Sequence, residues 1–223
     1  MYHFVEDKEF INETRRFCSD VVCKVRDYLH KEGINSQPIL VGSGARNLIT
    51  QNANELIDFD YNLEILDCDD FDDCKTIKEA VKKCFNKVLR ENKLRDCDDS
   101  TSVLTSKTII DDRWPNLGFN IDLCITYEDG DQWYRLIHEK TRQNWYVQDR
   151  WYWNQGFTKH KYAEKAKQIK TIPGTWEKVR NKYLTKKNKY LQLGDNNHPS
   201  FICYVEAVND TYNELRQKKL IKK

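Results

Sequence analysis

The sequence predicts an α+β fold, a mixed sheet flanked by helices and followed by a helical lobe. Three observations carry that prediction. The segments Ile57–Leu66 and Phe119–Tyr127 alternate apolar and polar residues with the period of two that marks a half-buried strand. Two other segments repeat apolar residues at spacings of three and four, the signature of an amphipathic helix. Beyond Gly130 the composition shifts: five of the six tryptophans lie there, and helical patterns dominate.

In chain order, residues 6–32 bring Phe10, Thr14, Phe17, Val21, Val25, Tyr28 and Leu29 onto one side of a helix, and Gly33 follows where that helix would end. Pro38–Val41 is a short apolar run leading into Gly42-Ser43-Gly44, a strand entering a tight turn with a short helix through Ala45–Leu48 beyond it. In Ile57–Leu66, Phe59, Tyr61, Leu63 and Ile65 face one way and Asp58, Asp60, Asn62 and Glu64 the other. The acidic stretch Asp67–Asp73 reads as a solvated helix start favoured by the backbone dipole, since it lacks the glycine and closing glutamate of a calcium loop. A helix follows with Ile77, Val81, Cys84, Phe85 and Val88 on one side. Thr101–Ile110 reads as a strand and Asp111–Gly118 as a turn around Pro115. In the strand Phe119–Tyr127, Phe119, Ile121, Leu123 and Ile125 alternate with Asn120, Asp122, Cys124 and Thr126. Four helices are expected at about 131–150, 159–170, 175–192 and 198–219, punctuated by Pro173-Gly174 and the loop Gly194–Pro199.

The formal charge of +2 conceals an asymmetry: residues 1–130 carry a net −9 and residues 131–223 a net +11. Such halves can pack on each other, or an acidic site can face a surface that attracts phosphate. Mean hydropathy is −0.83, but the aromatic content of 12% supplies a core and excludes disorder. No apolar stretch is long enough to span a bilayer, and MYHFVEDKEF is too acidic for a signal peptide, so a cytoplasmic protein without membrane contact is expected. The eight cysteines form no C-x-x-C pair and read as reduced thiols. No dinucleotide fingerprint, P-loop or nucleophile elbow is present, and the five histidines lack metal-binding spacing. His138 reads as a surface or hydrogen-bonded residue.

Asp58 and Asp60 are two apart on a strand, so both side chains leave the same face, and Asp122 has the equivalent phase on another strand. Three carboxylates converge if those strands are neighbours. Like-charge repulsion then demands a cation, and hard oxygen ligands suit Mg2+ or Mn2+. The turn at Gly42-Ser43 offers backbone N–H groups and a hydroxyl to a phosphate.

Val41-Gly42-Ser43, then fourteen residues, then Asp58-Phe59-Asp60, and later Ile121-Asp122-Leu123, resembles the polymerase-β-like nucleotidyltransferase superfamily over residues 35–127. Gly44 and the stretch before Asp58 depart from the shortest family spacing, while the three acids match. The resemblance implies a nucleotidyltransferase domain over 1–130 and a helical, basic lobe over 131–223 that closes the nucleotide cleft. It implies that Asp58 and Asp60 bind two metal ions and that Asp122 completes one site near the incoming hydroxyl. By the same resemblance Gly42 and Ser43 hold the triphosphate of an NTP donor. Arg46, past the turn, and Lys161 and Lys165, one helical turn apart, are candidate phosphate contacts; each has a local ion pair or a solvated basic face as its alternative. Trp145, Tyr146, Trp151, Tyr152, Trp153 and Phe157 read as core between two lobes, or as base-stacking groups.

The implied reaction moves NMP from an NTP to an acceptor and releases pyrophosphate. Relatives use small molecules such as aminoglycosides or lincosamides, nucleotides, RNA ends and protein side chains; a small molecule or nucleotide is favoured over RNA or protein. The alternative is a non-catalytic module of this fold that binds a partner protein or RNA, as in toxin–antitoxin or regulatory systems.

Overall fold

The computed structural model describes residues 1–143, 146–156, 160–195 and 199–221. The chain divides into two units. One joins Val5–Ile49 to Asn54–Thr158; the other joins Met1–Phe4 and Thr50–Ala53 to Lys159–Lys223.

The helical unit is built on the two-stranded antiparallel sheet of β1 (Tyr2–Phe4) and β3 (Thr50–Asn52), with Tyr2 opposite Asn52. Its helices are α4 (His160–Lys170), α5 (Thr175–Gln192) and α6 (Ser200–Gln217), close to the expected spans. Ile169, Val179, Tyr183, Ala207, Val208 and Leu215 are buried in it. Asn188 on α5 pins the first strand, accepting from Tyr2 N at 2.7 Å and donating to Tyr2 O at 3.0 Å.

The sheet unit opens with α1 (Lys8–Lys31). Asp7 caps it by accepting from Phe10 N at 2.9 Å, satisfying one of the donors a helix start leaves open. The helix ends at Gly33, where φ is +85° and Ile34 N donates back to Leu29 O, a left-handed turn that glycine adopts without penalty. The sheet runs β2 (Asn35–Leu40), β4 (Ile57–Asp67), β7 (Phe119–Asp129), β6 (Leu104–Thr105), β5 (Asp98–Asp99), and β7 also pairs with β8 (Gln132–Gln143), which pairs with β9 (Tyr146–Gln155). The β2–β4 pair is antiparallel and β4–β7 parallel, so the sheet is mixed. Between β2 and β4 lies the five-residue α2 (Gly42–Arg46). One face of the sheet packs on α1 and on α3 (Cys74–Glu91), burying Phe59, Leu63, Ile121 and Leu123 with Val22, Val25, Val81 and Phe85. Asp73, from the acidic stretch, caps α3 by accepting from Thr76 N.

Two expectations are corrected. Of Thr101–Ile110 only Leu104–Thr105 pairs as a strand, with a single bridge from Ile109 to Phe119. The helix expected over 131–150 is instead the hairpin β8–β9, with Tyr134 opposite Gln155 and Gln143 opposite Tyr146. The hairpin belongs to the sheet unit. The reason is a period of two, not 3.6: Tyr134, Leu136 and His138 join the core side and Trp133, Arg135 and Ile137 the other. Gly130-Asp131, a two-residue hairpin loop, turns β7 into β8 with Gly130 at φ +56°. Asn144 and Trp145, Phe157, and the side chain of Tyr146 lie outside the described residues. Trp151 and Trp153 pack against the core of the sheet unit, and Trp153 Nε1 donates to Phe71 O at 2.7 Å.

Candidate active site

Parallel pairing of β4 with β7 sets Asp58 opposite Asn120 and Asp60 opposite Asp122. Neighbouring strands stand about 4.8 Å apart, so the Asp60 and Asp122 side chains rise together from the face away from the helices. Asp58 stands two residues back along the same face and is exposed, whereas Asp60 and Asp122 are half-buried. Apolar residues 57, 59 and 61 hold the register, because a one-residue slip would turn the aspartates into the core.

Burial pushes the Asp60 carboxyl up to about 6; Asp122 adds to the rise, and Arg46 and Arg135 oppose it. Burial also raises Asp122, partly offset by a hydrogen bond with the Thr105 side chain. The backbone of the α2 turn closes on this pair. Val41 N donates to Asp60 O at 2.8 Å, and a Cβ on Gly42 would stand 1.9 Å from Asp60 Oδ2. Gly42 has φ +62°, so both conformation and space require glycine. Arg46 folds back over the turn, its Nη1 donating to Gly42 O at 2.8 Å, and Ser43 O accepts from Leu48 N. Gly42, Ser43, Arg46, Asp60 and Asp122 are thus brought to one region, with Asp58 beside them.

Lys161 and Lys165 lie on α4 in the other unit. The side chain of Lys161 is outside the described residues. Lys165 donates to Asn209 Oδ1 at 2.6 Å and lies 5.4 Å from the Tyr212 ring, contacts made within the helical unit.

Sequence reasoning missed Arg135, Asn120 and Thr105. Arg135 on β8 is in register with Thr126, on the carboxylate face, and its charge reaches both Asp60 and Cys124. Reading β8 as helix hid it; alternation after the Gly130-Asp131 turn is the signal that finds it.

The donor chemistry suits a hard divalent cation. Asp122 Oδ1 and Asn120 Oδ1 are buried without a hydrogen-bond partner, a condition that costs about 1–3 kcal/mol per group. Both are hard oxygens of the kind magnesium takes. Among the described residues, however, no three His, Cys, Asp or Glu side chains are gathered as a ready-made metal site.

This arrangement of a mixed sheet, flanking helices and a helical region after it is a fold shared with solved structures of low sequence identity. Among solved structures, CdnC of E. coli MS115-1 with ATP superposes with a TM-score of 0.55 at 14% identity, covering 91% of this chain and 61% of that one. The CdnC:HORMA-deltaN complex gives 0.53 over 91% and 60%. The Elizabethkingia meningoseptica CdnE cyclic dinucleotide synthase with GTP and Apcpp gives 0.50 at 14% identity, over 88% and 69%. This chain therefore spans about three fifths of the CdnC chain. No protein-family profile and no curated protein sequence matches it.

Proposed function

We propose that this chain is a nucleotidyltransferase that moves a nucleoside monophosphate from an NTP to a hydroxyl or phosphate acceptor, with Mg2+ or Mn2+ held by Asp58, Asp60 and Asp122. The observation that carries this reading is the in-register pairing of Asp60 with Asp122, closed over by the Gly42 turn. A bound divalent ion in such a site lowers the pKa of an attacking hydroxyl and steadies the departing pyrophosphate.

With a hydroxyl acceptor, the acceptor oxygen forms a bond to the α-phosphorus, the bond from that phosphorus to the bridging oxygen breaks, and pyrophosphate leaves. Asp122 takes the hydroxyl proton as general base. Gly42 and Ser43 hold the triphosphate, and Arg46 keeps their turn in shape through its bond to Gly42 O. Lys161 and Lys165 remain candidate phosphate contacts, and Lys165 must leave Asn209 to serve. The cyclic dinucleotide synthase among the structural neighbours supports a nucleotide as acceptor, with a small molecule as the other choice. Eight free cysteines support a reducing, cytoplasmic setting, and among the described residues no helix is long and apolar enough to cross a membrane.

The test is incubation with each radiolabelled NTP and Mg2+ or Mn2+, with and without cell extract, following pyrophosphate and labelled product. Metal-dependent turnover that Asp60→Asn abolishes is expected. Absence of metal-dependent NTP binding, or turnover indifferent to Asp58→Ala plus Asp60→Ala, sinks the reading and leaves the non-catalytic binding module.

A further inference from the structure

The helix-facing side of the sheet carries a second charged cluster, remote in kind from the carboxylates. Helix α3 presents Lys75, Lys78 and Lys82 at spacings of three and four, one stripe of its surface. Opposite stand Asp99 of β5, His138 and Lys140 of β8, and Trp151 of β9, around a pocket of about 340 Å³. That volume lies within the range of small-molecule sites.

Three ammonium groups converge on a single residue. Lys78 Nζ is 2.8 Å from Asp99 Oδ1, Lys82 Nζ is 3.3 Å from Oδ2, and Lys140 Nζ donates to the Asp99 carbonyl oxygen at 3.1 Å. One carboxylate cannot neutralise three cations. Burial holds the Lys78 ammonium below its ordinary pKa, and Lys140 and Lys82 push the same way. The remaining acids do little to correct this: Glu79 is exposed and 3.9 Å from Lys75, and Asp149 is 3.5 Å from His138 Nε2. His138, 5% exposed, stacks on Trp151 with ring centroids 4.5 Å apart, and its Nδ1 and Nε2 each lie 3.5 Å from a carboxylate oxygen, of Asp99 and Asp149, contacts too poorly formed to count as hydrogen bonds. A buried imidazole held only by such long contacts is under-satisfied, and a better-placed polar group of a ligand would relieve it.

We propose that this pocket is a second ligand site that takes a small oxyanion, the phosphate or carboxylate group of a metabolite-sized molecule, at the Lys78–Lys82–Lys140 cluster. The ring of Trp151 and the imidazole of His138 form the wall against which the rest of such a molecule lies. The site stands on the opposite face of the sheet from Asp58, Asp60 and Asp122, so it is independent of the reaction proposed above.

The experiment is titration of the full chain with inorganic phosphate and, separately, citrate, by calorimetry at constant ionic strength. Protein and buffer are first freed of divalent ions on a chelating resin, so that no cation bridges an anion to the carboxylate face. Saturable binding of at least one probe is expected below about 10 mM, the two arms separating phosphate from carboxylate recognition. Lys82→Gln plus Lys140→Gln should weaken it by about tenfold, as loss of two charge-assisted contacts predicts. Glu79→Gln should tighten it by about threefold by removing a rim carboxylate, a gain that misfolding cannot mimic. Asp58→Asn plus Asp60→Asn should leave it unchanged. The site is refuted if neither probe saturates, if binding ignores both the lysine pair and Glu79, or if it is lost with the Asp58 and Asp60 changes.

Discussion

The two faces of the sheet concentrate charge of opposite sign and relieve it by different means. On the open face, Asp60 and Asp122 sit on paired strands; Arg46 and Arg135 partly relieve Asp60, while Asp122 Oδ1 keeps no partner. On the helix-facing side, Asp99 is clasped by three ammonium groups, two through its side chain and one through its backbone. The first cluster is short of cation and the second short of anion. The difference is one of compensation: the half-buried carboxylates keep an unmet demand for a cation, whereas the buried Lys78 brings its counter-ion along.

The largest expected effect tests the open face. Asp60→Asn or Asp122→Asn should reduce NMP transfer by about a thousandfold, the several kcal/mol that loss of a metal-binding carboxylate removes from transition-state stabilisation. Pyrophosphate release measures it, and retention of activity within tenfold would separate the carboxylate pair from any chemistry.

Next comes the clasped side. Asp99→Ala leaves Lys78, whose side chain is 4% exposed, without its carboxylate and should cost about 3 kcal/mol of stability in urea denaturation. A loss under 1 kcal/mol would show that the three ammonium groups do not depend on Asp99.

Gly42→Ala should destabilise by about 2 kcal/mol through its left-handed backbone and a methyl driven against Asp60. It should also abolish nucleotide binding, whereas Gly33→Ala, at φ +85° with open space around it, should cost stability alone.

The smallest effect is a pH dependence. The folded pKa of Asp60, about 6, lies above the 3.8 of the free carboxylate, so the folded state binds the proton more tightly. That contribution to stability is complete below the lower value and is lost as pH rises through the upper one. In metal-free buffer Asp60→Asn should therefore melt above the wild type near pH 7.5, by about 1–2 kcal/mol, and show little difference near pH 4. An equal difference at both pH values would deny that charge on Asp60 is the cause.

Much of the open face was legible beforehand, because strand alternation assigns sides without knowledge of partners. Asp58, Asp60 and Asp122 follow from their phase against Phe59, Tyr61, Ile121 and Leu123. The turn glycines and both long helices of the sheet unit were equally plain. The hairpin was not: aromatic density and Gly130 suggested a boundary and a helix, although Tyr134, Leu136 and His138 alternate with Trp133, Arg135 and Ile137. With it Arg135 went unseen, and His138, read as a surface or hydrogen-bonded group, is buried against Trp151. Lys78 escaped notice because a single lysine beside Ile77 does not disturb a helical pattern.

The sequence by itself determined which side of each strand is polar, where the first helices start and stop, and which residue types crowd the turn before Asp58. These are local matters, decided by backbone period, capping and the conformations that glycine permits. Only the tertiary structure decided that Asp60 stands beside Asp122, that residues 2–4 pair with residues 50–52, and that three lysines share Asp99. Strand order and register depend on how distant apolar faces fill one core, and no local spacing along the chain encodes that choice.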